Sequence, residues 1–173
     1  VRYIYPLEGN EAALGLDYRT APMAQRAAAF RTVREGKVII AGPVKLVQGG
    51  FAFIVRIPVY IETNKESPAS WGILAAPMDV DVVYQQAGMR EFTEIYDIAL
   101  RGHDGLGSEG DVFFGDRDLF AENNKNVFLE IELENGSWMM AVKPKSGWSE
   151  NSLNQTLLRA VFLAAYVIFS ISW

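Results

Sequence analysis

The sequence predicts an α+β fold: two antiparallel-sheet lobes with flanking helices, ending in the start of a transmembrane helix. Three observations predict it. One clear helix is followed by closely spaced strand signals, a second strand-rich block begins after Gly88, and the stretch Leu157–Trp173 is apolar on both faces with Arg159 its only charge. The 173 residues suffice for one compact domain or two small lobes sharing a core. Half of them are hydrophobic and 12% aromatic, ample for a buried interior.

Arg2–Tyr5 reads as a short strand, with Pro6 and Gly9 bending the loop behind it. Pro22 to Glu35 reads as a helix, because Pro22 suits a first helical position and Gly36 supplies the stop. Met23, Ala27, Phe30 and Val33 fall on one stripe of it, opposite Arg26, Arg31, Arg34 and Glu35, which are expected to face water. Strands are expected at Lys37–Ala41, Val44–Gln48, Phe51–Tyr60 and Trp71–Pro77, with Gly49-Gly50 as a hairpin turn and residues 64–70 as a polar loop. Met78 to Gly88 reads as a helix with Asp79 as N-cap and Gly88 as stop. This order resembles a PAS-like antiparallel sheet. The second block supplies strands at Thr93–Leu100, Asp111–Phe114, Val127–Leu133 and Ser137–Val142, the last two joined by the Asn135-Gly136 turn. The expected division is a membrane-distal lobe over 1–90, a membrane-proximal lobe over 91–150, and a linker with the start of the membrane helix over 151–173.

Composition excludes several functions. A net charge of −5, from 16 basic and 21 acidic residues without a Lys/Arg cluster, argues against nucleic acid. The absence of Cys rules out disulfide scaffolds and thiolate metal sites. Leu157–Trp173 is slightly short of the ~20 apolar residues of a full span, and it reads as a span that has begun, with Arg159 snorkelling to the headgroups. The chain starts at Val1, and it is expected to be a fragment whose own N-terminal part has been removed.

The candidate chemistry gathers near the beginning. Glu8, Asn10, Glu11 and Asp17 place charged and amide groups in an otherwise apolar, Gly-broken run, as a chain does when it lines a small-molecule pocket, although such residues also favour plain turns. Arg56 lies mid-strand, on the face shared with Ala52, Ile54, Pro58 and Tyr60. Mid-strand it must find a carboxylate partner or face water, and it either pairs with Glu8 or Asp17 or clamps an anionic ligand, the structural pairing being the favoured of the two. His103-Asp104 invites a hydrolase, which would need a nucleophile and an oriented base, but Arg101–Gly107 reads instead as a flexible Gly-rich turn, where His and Asp are common. Asp104, Glu109, Asp111, Asp116 and Asp118 lack the spacing of a calcium loop and read as solvated turns. Trp138, Trp148, Phe113, Phe114 and Phe128 read as packing of a small β lobe.

Pro6–Asp17, the helix end at Gly36, Ala41–Gln48, Ile57-Pro-Val-Tyr60, Val112–Asp116 and Gly136–Trp148 together resemble the CHASE domains, in order and spacing. The resemblance implies two PAS-like lobes between transmembrane helices, with the ligand in the distal lobe. It also implies a cytoplasmic output module such as a histidine kinase, a diguanylate cyclase or a phosphodiesterase. In the plant cytokinin receptors of this family an acidic residue, in a segment equivalent to that of Glu8, holds the adenine edge, and a hydroxyl residue stands where this chain has Ala41. The departure at Ala41, together with Arg56, points away from cytokinin and toward a more polar or anionic ligand. The expectation is therefore a non-enzymatic periplasmic sensor anchored in the inner membrane, a homodimer without cofactor or metal. Its ligand-binding residues would be Glu8, Asn10, Asp17, Ala41, Arg56 and Tyr60. The rival expectation is a periplasmic structural or protein-interaction module with no small-molecule ligand.

Overall fold

The computed structural model describes residues 1–62, 69–121 and 125–148. Among them the chain is α+β, with two antiparallel sheets and three α-helices. Helix α1 (Met23–Glu35) begins at Pro22 and ends at Gly36, whose left-handed backbone (φ 65°) closes it as the sequence requires. A meander follows: β1 (Ile39–Lys45), β2 (Phe51–Ile61) and β3 (Ala69–Asp79), with β2 in the centre. Helix α2 (Val80–Gln86) is capped by Asp79, which accepts from the backbone N–H groups of Asp81 and Val82. Helix α3 (Met89–Ile95) leads into β4 (Tyr96–Arg101), β5 (Val112–Phe114), β6 (Val127–Leu133) and β7 (Gly136–Pro144), which pair in the order β5-β4-β7-β6.

Strand β2 is buried from Ala52 through Arg56, so both of its faces are covered. On one face Phe53 meets Trp138 (centroids 4.9 Å), Phe113 (5.9 Å) and Tyr84 (6.1 Å), so one ring joins the first sheet to β5, β7 and α2. On the other, Ala28 of α1 packs on Ile39 and Ala41, which stand beside Arg56 and Ile54 in the β1–β2 register. A second core under α2 and α3 gathers Met89, Ile98, Leu100 and Val142.

Four expectations are corrected. Arg2–Tyr5 forms no strand. Residues 1–22 are irregular apart from a short 3-10 turn at Glu11–Ala13, Tyr5 is 99% exposed, and no sheet edge pairs with it. The expected strands Lys37–Ala41 and Val44–Gln48 are one strand, β1, whose register shifts between Ala41 and Val44 where Gly42 and Pro43 form a bulge. The expected strand Thr93–Leu100 begins as α3, because Gly88 in the left-handed region ends one helix and starts the next, burying Met89 against Ile98. The stripe of α1 is turned outward: Met23 (77%), Phe30 (50%), Val33 and Ala27 are exposed, while Gln25, Ala28, Ala29 and Thr32 are buried. Small residues win the inner face because the helix lies close on Ile39 and Ala41. The expected start of a membrane helix within 157–173 lies outside the described residues. Among those described, no helix is long and apolar enough to cross a membrane.

Gly136 tests how the β6–β7 hairpin meets the rest. Its φ is 126°, and a side chain there would begin 2.1 Å from the Gly105 carbonyl oxygen, whereas one at Gly147 (φ 78°) would meet nothing within 4 Å. Gly147→Ala should cost only the left-handed backbone penalty of about 1 kcal/mol, and Gly136→Ala more than about 2 kcal/mol, read by urea denaturation.

Candidate functional site

Arg56 stands at the centre of the first sheet, with Ile39 opposite on β1 and Ala75 opposite on β3. Its relative exposure is 0%. Neither Nε nor either Nη has a hydrogen-bond partner among the described residues. The Tyr18 ring centroid lies 5.4 Å from the guanidinium carbon, and the Asp104 carboxylate bears on Arg56 electrostatically without a hydrogen bond to it. A cation over a ring is worth about 0.5–2 kcal/mol, and stripping water from an unpaired charge costs several times that.

The expected pairing of Arg56 with Glu8 or Asp17 does not occur. Asp17 is held by Arg19 at the surface, its Oδ2 accepting from Nη2 at 2.6 Å and from Nε at 2.9 Å. The Arg19 side chain, and then its backbone N–H, hold the Asp17 carboxyl down at about 2. A neighbour two residues away reaches Asp17 before a strand across the fold can. Glu8 is exposed on the N-terminal loop. Asn10 is half-buried: its Nδ2 donates to the Pro6 carbonyl (3.0 Å) and its Oδ1 accepts from Gln48 Nε2 (3.0 Å), which ties that loop to the β1–β2 turn. Ala41 is buried beside Ile39. Tyr60 is 45% exposed, with its hydroxyl against Gly36 at the end of α1. Of the six expected residues, Ala41, Arg56 and Tyr60 thus share the β1–β2 surface beneath α1, Asn10 hooks the loop onto the hairpin, and Glu8 and Asp17 face elsewhere. Sequence reasoning missed Tyr18 and Gln48, and the signal for Tyr18 was an aromatic residue following a turn-forming Asp.

It also misjudged His103 and Asp104, whose turn is anchored, not flexible. Asp104 Oδ1 accepts from the Gly42 N–H at the β1 bulge (2.8 Å), and its backbone carbonyl accepts from Arg31 of α1 (2.9 Å). His103 Nε2 lies 3.1 Å from the Pro43 carbonyl oxygen, and Nδ1 lies 3.3 Å from Asp104 Oδ2. Both neighbours accept only, so an imidazolium satisfies both contacts and leaves neither nitrogen free as a general base. Asp104 has φ 62°, which Asp tolerates better than most side chains. Asn135 adds a further tie across the sheets, donating to the Val38 carbonyl at 3.0 Å. The remaining acidic turns are local: Asp116 accepts from the Asp118 N–H, and Asp111 pairs with Arg117 at 3.5 Å. No group of three or more potential metal ligands converges among the described residues.

The contact with Asp104 raises the His103 pKa above its ordinary 6.5, against the effect of burial. Burial pushes Asp104 up, but the hydrogen bonds from His103 and the Gly42 N–H, together with the charges of His103 and Arg56, outweigh it and set its pKa below the ordinary 3.8. The histidine's share of stability is thus complete below pH 6.5 and is lost as pH rises through the folded value. The aspartate's share is complete above pH 3.8 and is lost as pH falls through its folded value. Thermal melts from about pH 4 to about pH 9 should show a fall in stability above pH 6.5 that is absent in His103→Gln.

The family model for the CHASE domain matches residues 1–114, from the N-terminal loop through the first sheet to the end of β5. No curated protein matches the chain. CHASE domains are extracytoplasmic sensor domains of membrane signalling proteins. With the match spanning the first sheet, Arg56 and the clasp at Asp104, the chain belongs to the CHASE domain family.

Proposed function

We propose that this chain is the small-molecule-sensing part of a transmembrane signal-transduction protein of the inner membrane, exposed to the periplasm and relaying ligand occupancy to a cytoplasmic output module. The ligand binds in a PAS-like lobe over 1–90, a second lobe over 91–150 carries the response, and 151–173 leads into the membrane. The observation that carries the reading is the guanidinium of Arg56, fully buried with no hydrogen-bond partner among the described residues, at the centre of the sheet that the family match covers. A sensor must have two arrangements that the ligand distinguishes. Strand β1 can report such a shift, since its bulge holds Asp104 through the Gly42 N–H and the Phe53 ring lies on Trp138 of the second sheet.

A thermal-shift screen of purines, amino acids and carboxylates on the 173-residue chain should return at least one compound that raises the melting temperature, and Arg56→Ala should abolish the response of the full-length protein. A screen with no shift, together with normal signalling by that variant, would remove the reading.

The outward stripe of α1 favours a second reading, a module that binds protein and no metabolite, and under the first reading it supplies the face of a homodimer. If that face pairs two copies, Phe30→Glu should convert a dimer to a monomer in sedimentation velocity, while an unchanged sedimentation coefficient would exclude it.

A further inference from the structure

We infer that the molecule bound at Arg56 carries a carboxylate, which seats in the planar fork of the guanidinium. This rests on the sensor reading and specifies its ligand. Five N–H donors lie in the guanidinium plane, and none has an acceptor among the described residues although exposure is 0%. The strand neighbours do not supply one: Ile39 and Ala75 are directly opposite in register, and Ala41 lies one pair beyond Ile39 on the same face. These side chains are apolar, and two of them are among the smallest available. Asp104 bears on the guanidinium electrostatically, but its Oδ1 accepts from the Gly42 N–H and its Oδ2 lies beside His103; hydrogen-bond acceptors for Arg56 therefore come from outside the described residues.

Tyr18 sets its ring centroid 5.4 Å from the guanidinium carbon and supplies no oxygen acceptor to the N–H groups. A carboxylate offers two coplanar oxygens at the spacing of two such donors, so one fork satisfies it. A phosphate presents further oxygens out of that plane, and Ile39, Ala41 and Ala75 have nothing to donate to them. Desolvating those oxygens without donors is costly, so the site selects the planar anion. A neutral purine edge adds no negative charge beyond that of Asp104, which makes no hydrogen bond to Arg56, and gains less.

The test uses the 173-residue chain, with acetate, propanoate and benzoate as carboxylate probes, acetamide as a neutral analogue, inorganic phosphate and adenine. At saturation at least one carboxylate should raise the melting temperature of the wild type and leave that of Arg56→Met unchanged, with no shift from acetamide. Without additive, Arg56→Met should melt about 4 °C above the wild type, because a buried guanidinium with no hydrogen-bond partner among the described residues has been replaced by an apolar side chain. Arg56→Lys keeps the charge without the fork and should lose roughly tenfold in affinity for the active carboxylate by calorimetry.

A lower melting point for Arg56→Met, with the native near-ultraviolet spectrum retained, would mean that the guanidinium has a stabilising partner within the chain, and would overturn the inference. Equal carboxylate shifts in wild type and Arg56→Met would do the same. Shifts from phosphate or adenine alone would refute the carboxylate and leave the sensor reading standing. No shift from any probe, with normal signalling by Arg56→Met in the full-length protein, would end both.

Discussion

The covering of β2 on both faces is the constraint from which the rest follows. A strand buried on one side can turn a charge to water, but here Phe53 and Val55 point to one interior while Ala52, Ile54 and Arg56 point to another. Moving Arg56 by one position would exchange it with the ring that joins the sheets, so the alternation that seats Phe53 against Trp138 also commits the guanidinium to the α1 side. Packing and charge burial are fixed by one register.

The second constraint is the shape of β1. It is an edge strand, and its bulge at Gly42 frees an N–H that would otherwise go unsatisfied. Asp104 accepts that N–H and Arg31 donates to the Asp104 carbonyl, so α1, β1 and the turn before β5 share one small polar junction. Gly42 suits the position because a side chain there would begin 2.7 Å from the Ala52 carbonyl oxygen. A displacement of β1 relative to β2 therefore cannot remain within the first sheet. The aromatic contacts of Phe53 and the bond from Asn135 to Val38 hold a second and a third point of the same interface.

Turn chemistry carried most of the fold that was legible in the sequence. Gly36, Gly49-Gly50, Asp79, Gly88 and Asn135-Gly136 each act locally, and each stands where the residue type demands. Several failures depended on partners far along the chain. Arg2–Tyr5 has strand composition, but no edge pairs with it. The α1 stripe has helical period, but periodicity ranks side chains by apolarity, whereas a closely seated helix selects by size and buries Ala28, Ala29 and Thr32. Thr32 is tolerated there because its hydroxyl bonds back to the Ala28 carbonyl at 3.0 Å. Within the site, a mid-strand arginine was visible from alternation alone. That neither Glu8 nor Asp17 reaches it was not, because Asp17 had a nearer cation in Arg19 and competing partners carry no rank in the sequence. Asp104 was hidden for a related reason: a Gly-rich turn looks loose until the N–H it accepts is known.

Magnitudes decide whether an anion at Arg56 is large enough to operate a switch. Hydrogen bonds to charged groups contribute about 1.5–3 kcal/mol each, so a two-bond fork supplies about 3–6 kcal/mol. Inverting an equilibrium from 1:99 to 99:1 requires about 5.5 kcal/mol of preference for one state. Those figures are comparable only if the fork is made in one arrangement and nearly absent in the other. Arg56 meets that condition better than a surface cation, because with 0% exposure water cannot stand in for the missing ligand. An exposed Arg, such as Arg19 beside Asp17, exchanges one set of partners for another and gains little from either. A buried guanidinium with no hydrogen-bond partner among the described residues makes the empty state costly, and it is the cost of that state, more than the strength of the contact, that turns binding into a change of conformation.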